Sequence, residues 1–341
     1  MKIRLVTPPI EKQVGGIENA LDGLRLALRQ QKIEFEDTGD AQDSSSIHHF
    51  HGLWEPSHAW LSHKLRQRNL PYIVSPHGML EPWAFHHLRW KKLPYYRLIE
   101  QRHLTGARAL LVASKKEAQN LAKVLIHPYV KVLPIGCSDA QGVNFDSSRR
   151  QSGWTRRERV ILFLSRLDVK KGLDLLLLAM TDDRFDWNSW RLVVVGDGTT
   201  QYVNTLKQFA ADHAARLPAI DWVGAVWGEQ RWPYLQAADL YCLPTHSENF
   251  GISVLEAMHA GTPVLTTSET PWGQFREMDG LFISNPDAGS LTLTLTEARR
   301  RLEDTWTTKD REALSKWASE NFDWDNLAPL YKRMYQSVQL E

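Results

Sequence analysis

Residues 244–263 read PTHSENFGISVLEAMHAGTP, and this stretch decides how the chain is to be understood. Just before it, Leu240, Tyr241, Cys242 and Leu243 form a short apolar run that reads as a buried strand, which Pro244 ends because it brings no backbone donor. Ser247, Glu248 and Asn249 make a polar loop. Gly251 then opens a segment in which Ile252, Leu255, Met258 and His259 recur at helical spacing. A strand that gives way to a loop and a helix N-terminus presents free backbone N–H groups and the positive end of the helix dipole, a combination that suits phosphate. Glu248 in the loop and Glu256 in the helix add two groups that only accept hydrogen bonds. Either Glu alone reads as a surface residue complementing the dipole. Together with the loop and the glycine they suit a ligand with hydroxyl groups on both sides of a phosphate, such as a nucleotide sugar.

Working outward, Val160 to Leu164 is a second apolar strand, followed by SRLDVKKG at 165–172 and the helical run Leu173 to Met180. Arg166 and Lys171 sit between strand and helix, where a guanidinium fork and a compact ammonium can clamp a diphosphate. They also read as loop charges paired with Asp168 and Asp174. Leu192 to Val195 runs into Gly196-Asp197-Gly198, but Gln201 stands where a dinucleotide fingerprint needs its third glycine, which disfavours a dehydrogenase. Ile220 to Val223, Val264 to Thr267 and Leu281 to Ile283 complete the strands of this half.

The first half repeats the pattern. Ile3 to Val6, Ile47 to His51, Tyr72 to Ser75, Ala109 to Ala113 and Val130 to Leu133 read as strands separated by helical segments. Alternation of this kind predicts two parallel sheets covered by helices, with ligands outside the carboxyl ends of the strands and a cleft between the domains. Gly15 and Gly16 lie between a strand and a helix, where a ligand can approach the backbone closely; a plain flexible loop is the other reading. His51 and His77 fall at strand ends, where a histidine can hydrogen-bond or transfer a proton near neutral pH. Ten of the thirteen histidines precede residue 150, yet no Cys or carboxylate near His48, His49 and His51 completes a ligand set, so no metal is expected. Residues 86–104, HHLRWKKLPYYRLIEQRHL, interleave basic and aromatic side chains, a pattern for an anionic lipid surface or for a solvated basic helix broken at Pro94. Asp139 to Gly153 lacks periodicity and reads as the linker.

Composition narrows the classes. With 341 residues the chain suggests two domains, and 41 basic against 40 acidic residues exclude a globally electrostatic nucleic-acid binder. Residues 1–150 carry 21 Lys and Arg against 14 Asp and Glu, and the remainder 20 against 26, so the first half is the basic one. Two cysteines give neither a disulfide framework nor zinc spacing, and no run of eighteen apolar residues exists. The expected setting is the cytoplasm, with peripheral contact at the inner face of the plasma membrane. Most of the fourteen tryptophans are expected in the core.

The motifs resemble those of glycosyltransferase family 4. SRLDVKKG is similar to its diphosphate-binding segment, with Ser165 where Gly is common. VVVGDGTTQYVNTLKQFA resembles the strand, turn and helix that follow, and SENFGISVLEAMHAGTPVLTT the signature with two Glu eight positions apart. GGIENA resembles the donor-phosphate loop, SPHGMLEPWA a segment of bacterial polysaccharide and lipopolysaccharide glycosyltransferases, and FDWDNLAPLYKRMY the helix that crosses back to the first domain. The resemblance implies the GT-B fold, an α/β architecture of two facing Rossmann-like domains. Residues 1–145 would form the acceptor side, 146–320 the nucleotide-sugar domain and 321–341 the returning helix. It implies a retaining, metal-independent transfer of a hexose-type sugar from a UDP- or GDP-sugar, with no cofactor, to a saccharide or lipid-linked saccharide. Arg166 and Lys171 would take the diphosphate, Glu256 the ribose and Glu248 the sugar hydroxyls. Backbone N–H groups of Asn249, Phe250 and Gly251 would meet sugar and phosphate, Gly15 and Gly16 the phosphate, and His77 matches the family's active-site histidine. Acceptor contacts do not carry over. A GT-B epimerase or phosphorylase, or a carbohydrate-binding protein without turnover, are the alternatives.

Overall fold

A computed structural model describes residues 1–9, 16–37, 46–86, 89–137, 141–155 and 157–340, with the backbone alone at 86, 89, 150 and 340. The chain divides into two compact units, Met1–Ser138 with Asn321–Glu341, and Asp139–Glu320.

The first unit holds a parallel sheet of β1 (Lys2–Val6), β2 (Glu34–Glu36), β3 (Ser46–His51), β4 (Tyr72–Ser75), β5 (Ala109–Val112) and β6 (Val130–Val132), in the order β2-β1-β3-β4-β5-β6. The second holds β7 (Arg159–Leu164), β8 (Trp190–Val195), β9 (Ala219–Gly224), β10 (Leu240–Leu243), β11 (Val264–Thr267) and β12 (Leu281–Ser284), in the order β12-β11-β10-β7-β8-β9. The strand order reverses between β1 and β3 in one unit and between β7 and β10 in the other. At such a reversal the connections leave to opposite faces, and the carboxyl ends are left open to a ligand. The central strands are sealed on both faces: every residue of β3, β10 and β11 is buried. β9 lies at the edge and only half buries its residues.

Polar contacts fix the other end of the second sheet. Asp239, just before β10, is buried and accepts from the Val160 amide at 2.8 Å and from Arg159 Nη1 at 3.0 Å, and it pairs with Arg149. Arg149 belongs to the helix Phe145–Ser152, so the segment read as linker contains a helix of the second unit. That helix is held by polar groups, Ser148 donating to Gln236 at 2.8 Å as well as Arg149, and leaves no apolar period in the sequence.

One further expectation changes. Pro94 does not end its helix: Arg89–Tyr95 continues as a π-helical turn, Tyr96–Glu100, and then as Gln101–Thr105. A wider turn is a known way to absorb the hydrogen bond and space that a proline removes. The three-residue strand β2 carries two Glu and no apolar run, and escapes sequence reading. The last helix, Trp324–Leu340, packs on Gly16–Gln30. A Cβ at Gly23 would lie 2.0 Å from the Trp324 indole nitrogen, and Gln30 donates to Asp325 at 2.6 Å.

Candidate active site

In the second unit the loops after β7 and β10 meet backbone to backbone. Gly172 has φ +73°, and a Cβ there would stand 2.1 Å from the Pro244 carbonyl oxygen, so only glycine fits. The Lys170 carbonyl accepts from the His246 amide and from the Thr245 hydroxyl, both at 2.8 Å. Asp168 caps the short turn Val169–Lys171 by accepting from the Lys170 amide at 2.9 Å. Asp174 accepts from the Tyr202 hydroxyl at 3.1 Å. Both acids are thus occupied, and the Lys171 ammonium pairs instead with Glu248 across the two loops. Burial opposes ionisation of Glu248, but Lys171, Lys170 and Arg166 outweigh it and hold its carboxyl below the usual range. Arg166 is exposed and makes no ion pair among the described residues. The two cations therefore stand differently, one locked to a carboxylate and one open.

Gly251 has φ +78° and caps the helix Ile252–His259. Phe250 is buried with its ring edge-on to Trp272, so position 250 can offer a ligand its backbone only. Asn249 is half-buried. Glu256 lies inside the helix face and is paired at 3.0 Å with Arg231, which arrives from the turn Gly228–Arg231. Sequence reasoning missed Arg231: a carboxylate on an apolar helix face demands a cation, but nothing in the spacing says which.

In the first unit Gly16 begins its helix, and among the described residues nothing beyond its chain neighbours and its own helix lies within 4 Å of where its Cβ would be. Gly15 lies outside the described residues. His77, two residues past β4, has φ +51°, unusual for a side chain of its size. Its Nε2 lies 3.0 Å from His51 Nδ1. The next amide, Gly78, donates to Glu117 Oε1 at 2.7 Å, and the other oxygen of Glu117 accepts from Ala113 at 2.7 Å. Burial, with Glu81 adding to it, raises the Glu117 carboxyl to about 7, although the two amides work the other way. Ser114 caps the helix Lys115–Ala122 by accepting from the Glu117 amide at 3.0 Å. The Ser-x-x-Glu spacing of a capping box was the signal that could have found Glu117. Burial lowers His77 to about 4, so its ring is neutral at physiological pH. His49, lowered to about 3, lies between the Tyr335 hydroxyl at 2.7 Å and Ser75 at 2.8 Å. Among the described residues no group of three His, Cys, Asp or Glu is placed to hold a metal ion.

The second unit can thus bind an anion with hydroxyl groups beside it, and the first presents a fixed neutral imidazole. Comparison with known proteins matches each half of the chain to a family model. Residues 3–137 match the glycosyl transferase 4-like domain and residues 144–304 match glycosyl transferases group 1. The phosphatidyl-myo-inositol mannosyltransferase of Mycobacterium leprae is 28% identical over 206 residues, 58% of this chain and 52% of that protein. The D-inositol 3-phosphate glycosyltransferase of Corynebacterium jeikeium is 28% identical over 186 residues, 50% of this chain and 43% of that protein. The chain spans about half the length of the curated relatives it matches. Among solved structures, sucrose-phosphate synthase from Thermosynechococcus elongatus superposes with a TM-score of 0.80 at 18% identity, covering 99% of both chains. Anabaena HepE in complex with UDP and glucose superposes at 0.75 and 18% identity, over 99% of this chain and 100% of that one. The chain belongs to the glycosyltransferases of the group 1 and family 4 type, and its fold is GT-B.

Proposed function

We propose that the chain is a retaining glycosyltransferase that moves a hexose-type sugar from a UDP- or GDP-sugar to a saccharide or lipid-linked saccharide in cell-surface polysaccharide synthesis. The observation that carries this reading is the second unit's carboxyl-end cluster: Lys171 bound to Glu248, Arg166 open to solvent, and the Gly251-capped helix after β10. Glycosyl transfer must stabilise a departing nucleoside diphosphate while the anomeric carbon gains positive charge. Arg166, Lys171 and the helix N-terminus would neutralise the leaving group with charges and dipoles already in place. Lys171 has three donors, enough to keep Glu248 while taking a phosphate oxygen. Glu248 would accept from the sugar hydroxyls and Glu256, steadied by Arg231, from the ribose. The amides of Asn249, Phe250 and Gly251 would meet sugar and phosphate, with Gly15 and Gly16 at the phosphate and His77 at the sugar. A neutral His77 adds no positive charge where the anomeric carbon is becoming positive.

The bond from the anomeric carbon to the diphosphate oxygen breaks as the acceptor oxygen bonds to the same face. The acceptor's proton passes to the departing diphosphate. No metal takes part in this scheme. Acceptor-dependent release of nucleoside diphosphate from a panel of nucleotide sugars, followed by mass spectrometry with and without chelator, tests it. Turnover that needs an acceptor and survives the chelator supports it. Isomerisation of the sugar, dependence on free phosphate, binding without turnover or loss with chelator would each contradict it.

The acceptor's lipid end has a candidate surface in the first unit. Trp90 is 72% and Leu98 67% exposed, and the Lys91 ammonium lies 4.8 Å from the Trp90 ring centre. Apolar side chains beside cations favour an anionic bilayer surface. No helix among the described residues is long and apolar enough to cross a membrane. Sedimentation with phosphatidylglycerol vesicles, weakening as salt is raised, is the expected outcome; no sedimentation at low salt removes the membrane from the account.

A further inference from the structure

We infer that His51 is a positioning residue for His77, turning its ring so that Nδ1, and not Nε2, is the atom offered to the ligand. The inference rests on the reading of His77 as a residue at the transferred sugar. β3 and β4 pair in parallel with His51 opposite Ser75, and the Gly52 amide donates to the Ser75 carbonyl at 2.9 Å. That register carries His51, the last residue of β3, alongside the loop after β4. The two rings stack at 26° with centroids 5.2 Å apart and share one hydrogen bond of 3.0 Å between His51 Nδ1 and His77 Nε2. Each nitrogen of that bond is consumed by the other whichever ring carries the proton. His77 Nδ1 has no protein partner among the described residues, so it is the nitrogen left for a ligand.

His51 itself is the second observation. It is 3% exposed, and its Nε2 is buried with no hydrogen-bond partner among the described residues. A buried polar ring that leaves one nitrogen unsatisfied costs stability that an apolar ring of similar shape would not. Packing alone therefore gives no reason for histidine here, and its single bond, to His77, does. Two other restraints converge on the same residue: the left-handed backbone of His77 and the clamp of the Gly78 amide on Glu117. Backbone and ring of His77 are both fixed before any ligand arrives, as orientation of a reacting group requires.

The test compares His51→Phe, which keeps an aromatic ring and removes the bond, with His51→Asn, whose side-chain amide can reach the place of Nδ1. His51→Phe should melt no lower than wild type while its kcat falls about tenfold and KM for the nucleotide sugar stays within about twofold. His51→Asn should recover turnover to within about threefold of wild type. Equal losses in both variants, or none in either, overturn the inference. Without any substrate, nitrogen-15-labelled histidine in the full chain should show a scalar coupling through the hydrogen bond between His51 Nδ1 and His77 Nε2, absent in His51→Phe. Should no donor give turnover, that spectrum still decides: His77 with both nitrogens free of His51 sinks the inference separately from the transferase reading.

Discussion

The two units repeat one plan, a six-stranded parallel sheet whose strand order reverses once, yet they hold the residues at the open end of that reversal by opposite means. In the second unit charge does it: Lys171 to Glu248 ties loop to loop, and Arg231 to Glu256 ties a turn to a helix. In the first unit neutral rings do it. His49 and His51 of β3 and His77 just past β4 lie at the carboxyl side of the sheet, and burial depresses all three. A site that must grip an anion gains from cations kept in place by carboxylates. A site that faces a carbon becoming positive gains from groups that stay uncharged. On the proposed function, the same scaffold would serve two electrostatic tasks according to what is placed at the ends of its strands.

The contrast can be broken most severely at Lys171. Lys171→Ala removes the proposed phosphate donor and leaves the Glu248 carboxylate in a largely buried place without its ion-pair partner. Loss of one such preorganised charge is expected to lower kcat/KM about 100- to 1,000-fold, measured by diphosphate release. A loss under about threefold, less than roughly 1 kcal/mol, would show that charge is not what the second unit contributes.

A smaller effect sharpens the other side. His103, buried against Phe50 and stacked on Tyr72, is lowered to about 3 by burial first and by the nearby His58 and Arg66. Its folded value lies below that of the unfolded chain, so between the two the unfolded state binds more protons. The stability tied to its neutral form is complete above about pH 6.5 and is lost as pH falls towards 3. At pH 5 the loss is about 2 kcal/mol. His103→Phe should escape that share, so urea unfolding at pH 7 and pH 5 should show a smaller drop for the variant. Equal drops would mean that neutral burial is not what makes the first unit sensitive to acid.

Much of this fold was legible from local pattern. β4, β10 and the helix Leu173–Met180 fall on apolar runs bounded by Pro, Gly or polar residues, because a strand sealed on both faces favours such a run and Pro interrupts its ladder. What escaped rests on partners far away in sequence. The helix Phe145–Ser152 is fixed by Asp239 and Gln236, and Glu256 by Arg231; polar pairing of this kind has no period. Of the candidate site, Lys171 and Glu248 were separately readable, but their ion pair depends on Gly172 admitting the Pro244 carbonyl, a contact set by how two loops pack. His77 was readable as a strand-end histidine. That His51 would be spent on it follows only from the register of β3 and β4.

The most direct measurement is nucleoside diphosphate release from a panel of nucleotide sugars, run on wild type and Lys171→Ala together, with and without saccharide acceptors. The account predicts release for wild type with an acceptor present and its near disappearance in the variant. Release that ignores the acceptor, or a variant that keeps pace with wild type, would contradict it.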